Sequence, residues 1–141
     1  MTPIVVDASV AVKWCVSEKY DIEAQVLLSG AFELQAPDLI IAEFGNIIWK
    51  KVAKHDGLAD AEGRRYVADF AAPPLTLFAS TDLLTEAYRL AVETTRTAYD
   101  CLYLALAQAQ GCAMVTADER FYNALERTPY RDSIVWIGDL S

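Results

Sequence analysis

Ile4-Val5-Val6-Asp7-Ala8-Ser9, near the start of the chain, is the stretch that indicates the fold. Its β-branched residues predict a short strand over 4–6, and an acid follows that strand directly. Comparable apolar runs predict further strands over 75–78, 113–115 and 134–137, with a weaker one over 32–36. These runs are too apolar to leave one face of a sheet in water, which is typical of a parallel sheet covered on both sides.

Segments with helical spacing of apolar residues lie between the predicted strands. They cover residues 22–28, 39–52, 61–70, 83–91 and 101–109. Strands that alternate with helices in this way predict an α/β fold, specifically a three-layer α/β/α sandwich with a mainly parallel sheet. A chain of 141 residues has the usual size of one domain, so residues 1–141 are predicted to form a single folding unit.

Composition narrows the class of protein. Hydrophobic residues make up 54% of the chain and recur in ordered periods, which indicates a globular rather than a disordered protein. No apolar run approaches the roughly 20 residues of a membrane span, and the N-terminus lacks a basic leader, so we expect a cytoplasmic protein with no membrane partner. The net charge of -8 argues against a protein that coats nucleic acid by bulk attraction, but it does not exclude a local site that acts on RNA.

Two acids come soon after predicted strands. Asp7 ends the first strand, and Asp118 follows the run Val115-Thr116-Ala117. Ligands of open parallel sheets gather beyond the carboxyl ends of the strands, so both acids are candidate site residues. Helix capping explains each acid equally well when it is taken alone, because an aspartate satisfies free N–H groups at the start of a helix.

Two further acids lie on otherwise apolar helices. Glu43 has apolar neighbours at helical spacing, and an ionised group in such surroundings needs a partner. It either belongs to a site or forms a polar surface stripe with Asn46 and Lys50. Asp100 opens a segment without further charge up to residue 110, where it either joins the site or only stabilises the positive end of a helix.

A shared site for these four acids implies a divalent cation, because carboxylates a few Å apart raise each other's pKa and oppose folding. The candidate ligands are all oxygens, which favours Mg²⁺, with Mn²⁺ able to replace it, over zinc or copper. The lone His55 is expected in a solvated loop. The three cysteines lack the C-x-x-C spacing of a zinc or redox site.

The order and spacing of four segments resemble the PIN-domain nucleases, in particular the VapC-like toxins of toxin-antitoxin pairs. The segments are Val5-Val6-Asp7-Ala8-Ser9, then Pro37-Asp38-Leu39 through Ala42-Glu43 and Asn46, then Thr97-Ala98-Tyr99-Asp100-Cys101-Leu102-Tyr103-Leu104-Ala105, and finally Val115-Thr116-Ala117-Asp118-Glu119-Arg120-Phe121. One departure is Ala98, where relatives often have proline.

The resemblance implies a PIN-like fold and a magnesium-dependent ribonuclease that acts as the toxin of a toxin-antitoxin pair. RNA would be the substrate and a small antitoxin protein the partner. The catalytic and metal-binding residues would be the four acids Asp7, Glu43, Asp100 and Asp118. The supporting polar residues would be Ser9, Asn46 and Thr116.

Other functions use a similar arrangement. A magnesium-dependent phosphatase with Asp7 as nucleophile needs a second acid where Ser9 stands, and a receiver domain needs a late lysine, whereas no lysine follows Lys54. A degenerate PIN-like module that binds RNA without cutting it stays open as an alternative.

The chain is also expected to form a homodimer and to contact RNA through basic side chains. Its apolar excess, with Trp14, Trp49 and Trp136 competing for burial, predicts a homodimer. The basic candidates for RNA contact are Lys13, Lys50, Lys51, Lys54, Arg64, Arg65, Arg96 and Arg120.

Overall fold

A five-stranded parallel sheet forms the centre of the molecule in a computed structural model that describes residues 1–141. The strands run in the order β3-β2-β1-β4-β5, and every neighbouring pair is parallel. Their bounds are β1 Thr2–Val6, β2 Phe32–Pro37, β3 Leu75–Phe78, β4 Met114–Thr116 and β5 Ile134–Trp136. All five predicted strands are therefore present, with ends that differ by one or two residues, and the predicted α/β fold is confirmed.

Seven helices connect the strands. Their bounds are α1 Ala8–Ala11, α2 Asp21–Val26, α3 Leu39–Ala53, α4 Asp60–Ala68, α5 Ser80–Thr94, α6 Ala98–Gln110 and α7 Glu119–Ala124. Short 3-10 turns follow α1 and flank β5. The five helices predicted from spacing correspond to α2–α6, whereas α1 and α7 are too short for their apolar period to be recognised.

Chain order places helices on both faces of the sheet. The chain moves outward from β1 to β3 and then returns to β4 and β5, and right-handed crossovers on these two courses lie on opposite faces. Accordingly, α3 packs on β2, whereas α6 packs on β1, β2 and β4. The chain leaves β1 towards one edge of the sheet and leaves β4 towards the other edge. The carboxyl ends of these two neighbouring strands therefore form the crevice in which doubly wound sheets bind ligands.

One core holds both layers together. Thirty-one buried hydrophobic residues form a single cluster, which includes every residue of α6 from 101 to 107. Over residues 101–107 the helix is buried all round, which explains why this stretch carries no charge. No helix is both long and apolar enough to cross a membrane.

Several smaller expectations can be compared with the structure. His55 lies exposed just after α3 with a positive φ of 51°, as expected for a loop residue. The three cysteines are free, with Cys101 buried and the other two partly buried. Trp49 is 61% exposed, so only two of the three tryptophans pack against the core.

Candidate metal centre

Asp7 occupies the crevice at the end of β1 and is only 7% exposed. Its carboxylate accepts hydrogen bonds on both oxygens. The Ser9 hydroxyl and the Val10 backbone N–H, at 3.2 Å, donate to Oδ1, and the Thr116 hydroxyl donates to Oδ2 at 2.5 Å. The side chain is thus held in one position by groups from its own helix and from the neighbouring strand β4.

Burial raises the pKa of Asp7 to about 6, against an ordinary value of 3.8. The hydrogen bonds from Ser9, Thr116 and Val10 lower it, and the negative charge of Glu43 raises it further. The pKa is therefore raised even though the carboxylate accepts three hydrogen bonds, because the desolvation of the charge outweighs the stabilising donors. A nearby cation would offset this cost.

Asp118 lies two residues after the end of β4, the strand that neighbours β1. Its Oδ1 accepts the Phe121 backbone N–H at 3.2 Å, and its own N–H donates to the Thr116 hydroxyl at 3.0 Å. The Ala117 N–H donates to the Ser9 hydroxyl at 3.1 Å. The two predicted supporting hydroxyls therefore bridge the ends of β1 and β4.

Both strand-end acids also cap helices. Asp7 is the N-cap of α1, and Asp118 is the N-cap of α7. The capping interpretation is thus correct for each acid, but it does not compete with a shared site. Each cap uses only one carboxylate oxygen, so the other oxygen of each acid is not needed for capping.

Glu43 reaches the same region from α3. Its side chain is half-buried, and Oε1 accepts a hydrogen bond from the Tyr103 hydroxyl at 2.6 Å. Burial raises the pKa of Glu43, the Tyr103 hydrogen bond lowers it, and the charge of Asp100 raises it. Asn46 and Lys50 are exposed, and the side chain of Asn46 makes no hydrogen bond, so nothing in the structure ties Asn46 to the acids.

Tyr103 is a site residue that the sequence analysis did not single out. It lies on α6, is 2% exposed, and burial raises its pKa, so its hydroxyl remains a donor to Glu43. A buried tyrosine hydroxyl normally needs a hydrogen-bond partner, and that requirement was the only signal in the sequence.

Asp100 lies in the first turn of α6, three residues after the N-cap Thr97, whose hydroxyl accepts the Asp100 N–H at 3.1 Å. The helix therefore begins after Thr97. The prediction that Asp100 opens it is wrong by three residues. The Arg96 Nη2 donates to Asp100 Oδ2 at 3.0 Å. Burial raises the pKa of Asp100, the Arg96 charge lowers it, and the charge of Asp118 raises it.

The four acids form an electrostatic series around the crevice. Asp7 is influenced by Glu43, Glu43 by Asp100, and Asp100 by Asp118. Nevertheless, no group of three or more His, Cys, Asp or Glu side chains is arranged to hold a metal ion. Glu43 and Asp100 are directed instead towards Tyr103 and Arg96.

The donor set fits a hard divalent cation. All four acids supply oxygen ligands, no histidine or cysteine competes with them, and the cost of their mutual repulsion falls when a cation binds. Coordination by more than two of them requires side-chain rotation from the positions seen here. Their role as metal ligands stays a prediction.

A model of the PIN domain family matches residues 4–125, a span that contains the crevice and all four acids. The chain belongs to the PIN domain family. Within this PIN domain, the resemblance noted from the four sequence segments is therefore confirmed.

Curated relatives of the PIN domain described here are VapC ribonucleases. VapC ribonuclease Mb0985 of Mycobacterium bovis is 33% identical over 117 residues, which cover 83% of this chain and 87% of the relative. Ribonuclease VapC3 of Pyrobaculum aerophilum is 31% identical over 121 residues, which cover 83% and 90%.

Solved structures show the same fold. PAE2754 from Pyrobaculum aerophilum superposes with a TM-score of 0.70 at 24% identity, covering 97% of this chain and 90% of that one. A toxin-antitoxin complex from Klebsiella pneumoniae gives a TM-score of 0.60 at 14% identity, covering 94% and 95%.

Proposed function

We propose that this PIN domain is a magnesium-dependent ribonuclease and the toxin of a toxin-antitoxin pair. The observation that carries the proposal is the buried Asp7, held by Ser9 and Thr116 at the reversal point of the sheet and electrostatically linked to a second acid. The VapC ribonucleases at 31–33% identity supply the substrate class, RNA.

Asp7, Glu43, Asp100 and Asp118 would hold the magnesium, with manganese able to replace it. When bound, magnesium lowers the pKa of a coordinated water and offsets the charge of the phosphodiester. The chain itself positions the ligands. Three donors orient Asp7, Tyr103 orients Glu43, and the α7 cap orients Asp118.

The lack of a histidine near the crevice disfavours attack by the RNA 2′-hydroxyl and favours hydrolysis by water. The single histidine, His55, is exposed beyond the C-terminal end of α3, so it is not placed to activate a 2′-hydroxyl in the crevice. The products should therefore carry a 5′-phosphate and a 3′-hydroxyl rather than a cyclic phosphate.

The metal requirement gives the direct test. Purified protein should degrade total RNA in magnesium or manganese and stop when EDTA is added, because chelation removes the ion that the carboxylates need. End-group analysis of the fragments checks the chemistry. Cleavage that continues in EDTA would contradict the proposal, and metal-independent RNA binding without cleavage would favour the degenerate module.

The phosphatase alternative is weaker in the structure. An aspartyl phosphatase needs a second acid two residues after its nucleophile, and Ser9 stands at that position, where its hydroxyl donates to Asp7 Oδ1.

Homodimer formation is the second part of the proposal. Leu84, Tyr88 and Val92 lie four residues apart on α5 and are 55%, 66% and 67% exposed, which leaves an apolar stripe in water. A second copy of the chain is its proposed occupant, since two such stripes match each other about a two-fold axis.

The role of the α5 stripe in dimer formation can be tested by introducing a charged residue. Tyr88→Glu should convert the dimer to monomer at micromolar concentration, because two buried glutamates would face each other without partners. Sedimentation measures the change, and Ile22→Glu, at a 77% exposed position on α2, is the matched control. A wild-type monomer would contradict the dimer.

A small antitoxin is the proposed protein partner. The support is the resemblance to VapC-like toxins and the toxin-antitoxin complex among the structural neighbours. A second apolar surface is available for it between α3, α4 and β3, where Ile41, Val67 and Leu77 line a groove.

A further inference from the structure

Arg96 is the only cation that pairs with any of the four acids. Its Nη2 lies 3.0 Å from Asp100 Oδ2, and the other three acids form no ion pair. The two side chains are 23% and 24% exposed, so the pair is largely shielded from water. A shielded pair is weakened little by salt, and its charge acts strongly on its surroundings.

The link between α5 and α6 holds Arg96 in place. Its backbone N–H donates to the Thr94 hydroxyl at 3.3 Å. Its guanidinium carbon lies 5.4 Å from the centre of the Phe121 ring, and the Phe121 N–H donates to Asp118 Oδ1. Arg96 therefore contacts Asp100 directly and packs on the residue that orients Asp118.

The pairing is incomplete. A guanidinium can donate two parallel hydrogen bonds to one carboxylate, but Arg96 donates one, and its Nε is buried without a partner. A single hydrogen bond holds Asp100 less firmly than a bidentate pair. With Asp100 held by Arg96, no three of the acids are arranged around a metal position.

We infer that Arg96 is a built-in counterion of Asp100, which a divalent cation must displace in order to bind the candidate metal centre. The inference rests on the proposed function, since it concerns the same centre. Without metal, Arg96 neutralises one of the four acids and limits the repulsion between Asp100 and Asp118. An incoming cation loses affinity because it must break this pair and lie near a positive charge.

The sign of the effect distinguishes this role from a structural one. If Arg96 only held Asp100 in a binding position, its removal would weaken metal binding. If Arg96 is a counterion, its removal strengthens metal binding and makes the metal-free protein less stable. Activity is not needed for either measurement.

Titration of Mn²⁺ by calorimetry into the full chain, at constant ionic strength, tests the inference. Arg96→Met keeps the length and the apolar contact with Phe121 but removes the charge, so Mn²⁺ should bind about tenfold more tightly, as expected when one nearby like charge is removed. Arg96→Lys keeps the charge and should bind Mn²⁺ about as wild type does. Arg96→Gln is a second neutral variant in case the methionine variant folds poorly.

Two controls test whether the change in Mn²⁺ affinity comes from the Arg96–Asp100 ion pair. Arg127→Met makes the same change in net charge at an exposed arginine without an ion pair, and it should leave Mn²⁺ affinity unchanged. In an Asp100→Asn background, Arg96→Met should change affinity by less than about threefold, because coupled residues are not additive.

The outcomes separate this inference from the proposed function. If wild type binds Mn²⁺ and both neutral variants bind it equally or more weakly, the counterion role is overturned while the metal centre stands. If neither wild type nor any Arg96 variant binds Mn²⁺, both are overturned. Binding by the neutral variants alone supports the counterion and contradicts magnesium use by the wild-type protein.

Discussion

Asp7→Asn should lower the rate of RNA cleavage by about a hundredfold to a thousandfold, the loss typical when one group that stabilises transition-state charge is removed. Asp7 is the most buried of the four acids and the one most firmly held in position. An amide has the same shape but no negative charge, so the crevice keeps its form and loses a ligand for the cation.

The same variant should not destabilise the metal-free fold. Burial already disfavours the charged form of Asp7, as its raised pKa shows, so a neutral side chain removes an unfavourable term. Single-turnover cleavage assays and urea denaturation measure the two effects. Asp56→Asn, at an exposed loop position, is the control. A fully active Asp7→Asn protein, or one inactive only because it is unfolded, would contradict the assignment.

The metal-free protein should become more stable as the pH falls from 7 towards 5. The folded state binds the Asp7 proton more tightly than the unfolded chain does, with a pKa of about 6 against 3.8. Its contribution to stability is therefore present in full below the unfolded pKa and is lost as the pH rises through the folded pKa. The difference corresponds to roughly 3 kcal/mol over the whole window, about half of it between pH 7 and pH 5.

Other acids limit this gain at lower pH. Burial raises the pKa of Glu18, but hydrogen bonds from Lys51 and Lys13 lower it more, so its net pKa is below the ordinary value of 4.5. Its protonation destabilises the fold below that pH. Urea denaturation in EDTA across pH 4–8 should therefore show stability rising as the pH falls from 7 to 5 and levelling off below pH 5, and Asp7→Asn should reduce the rise. A wild-type stability that falls steadily from pH 7 to pH 5 would contradict the raised pKa of Asp7.

The local sequence by itself determined the elements of the fold and the place of two acids. Buried parallel strands are short and apolar throughout, so their runs stand out, and the residue after each run must lie at the carboxyl edge of the sheet. Asp7 and Asp118 could therefore be assigned to one edge without coordinates. The uncharged stretch after Asp100 likewise predicted a buried helix, which α6 confirms.

Only the tertiary structure decided which side chains meet there. The strand order β3-β2-β1-β4-β5 makes β1 and β4 neighbours, although more than a hundred residues separate Asp7 from Thr116. Tyr103 and Glu43 are sixty positions apart and lie on helices whose meeting depends on that order. Local sequence carries the period of each element but not the packing between elements. The local sequence therefore could not predict the partners of Glu43 and Asp7. The proposed role of Arg96 likewise depends on its distance to Asp100 and its contact with Phe121, which only the tertiary structure gives.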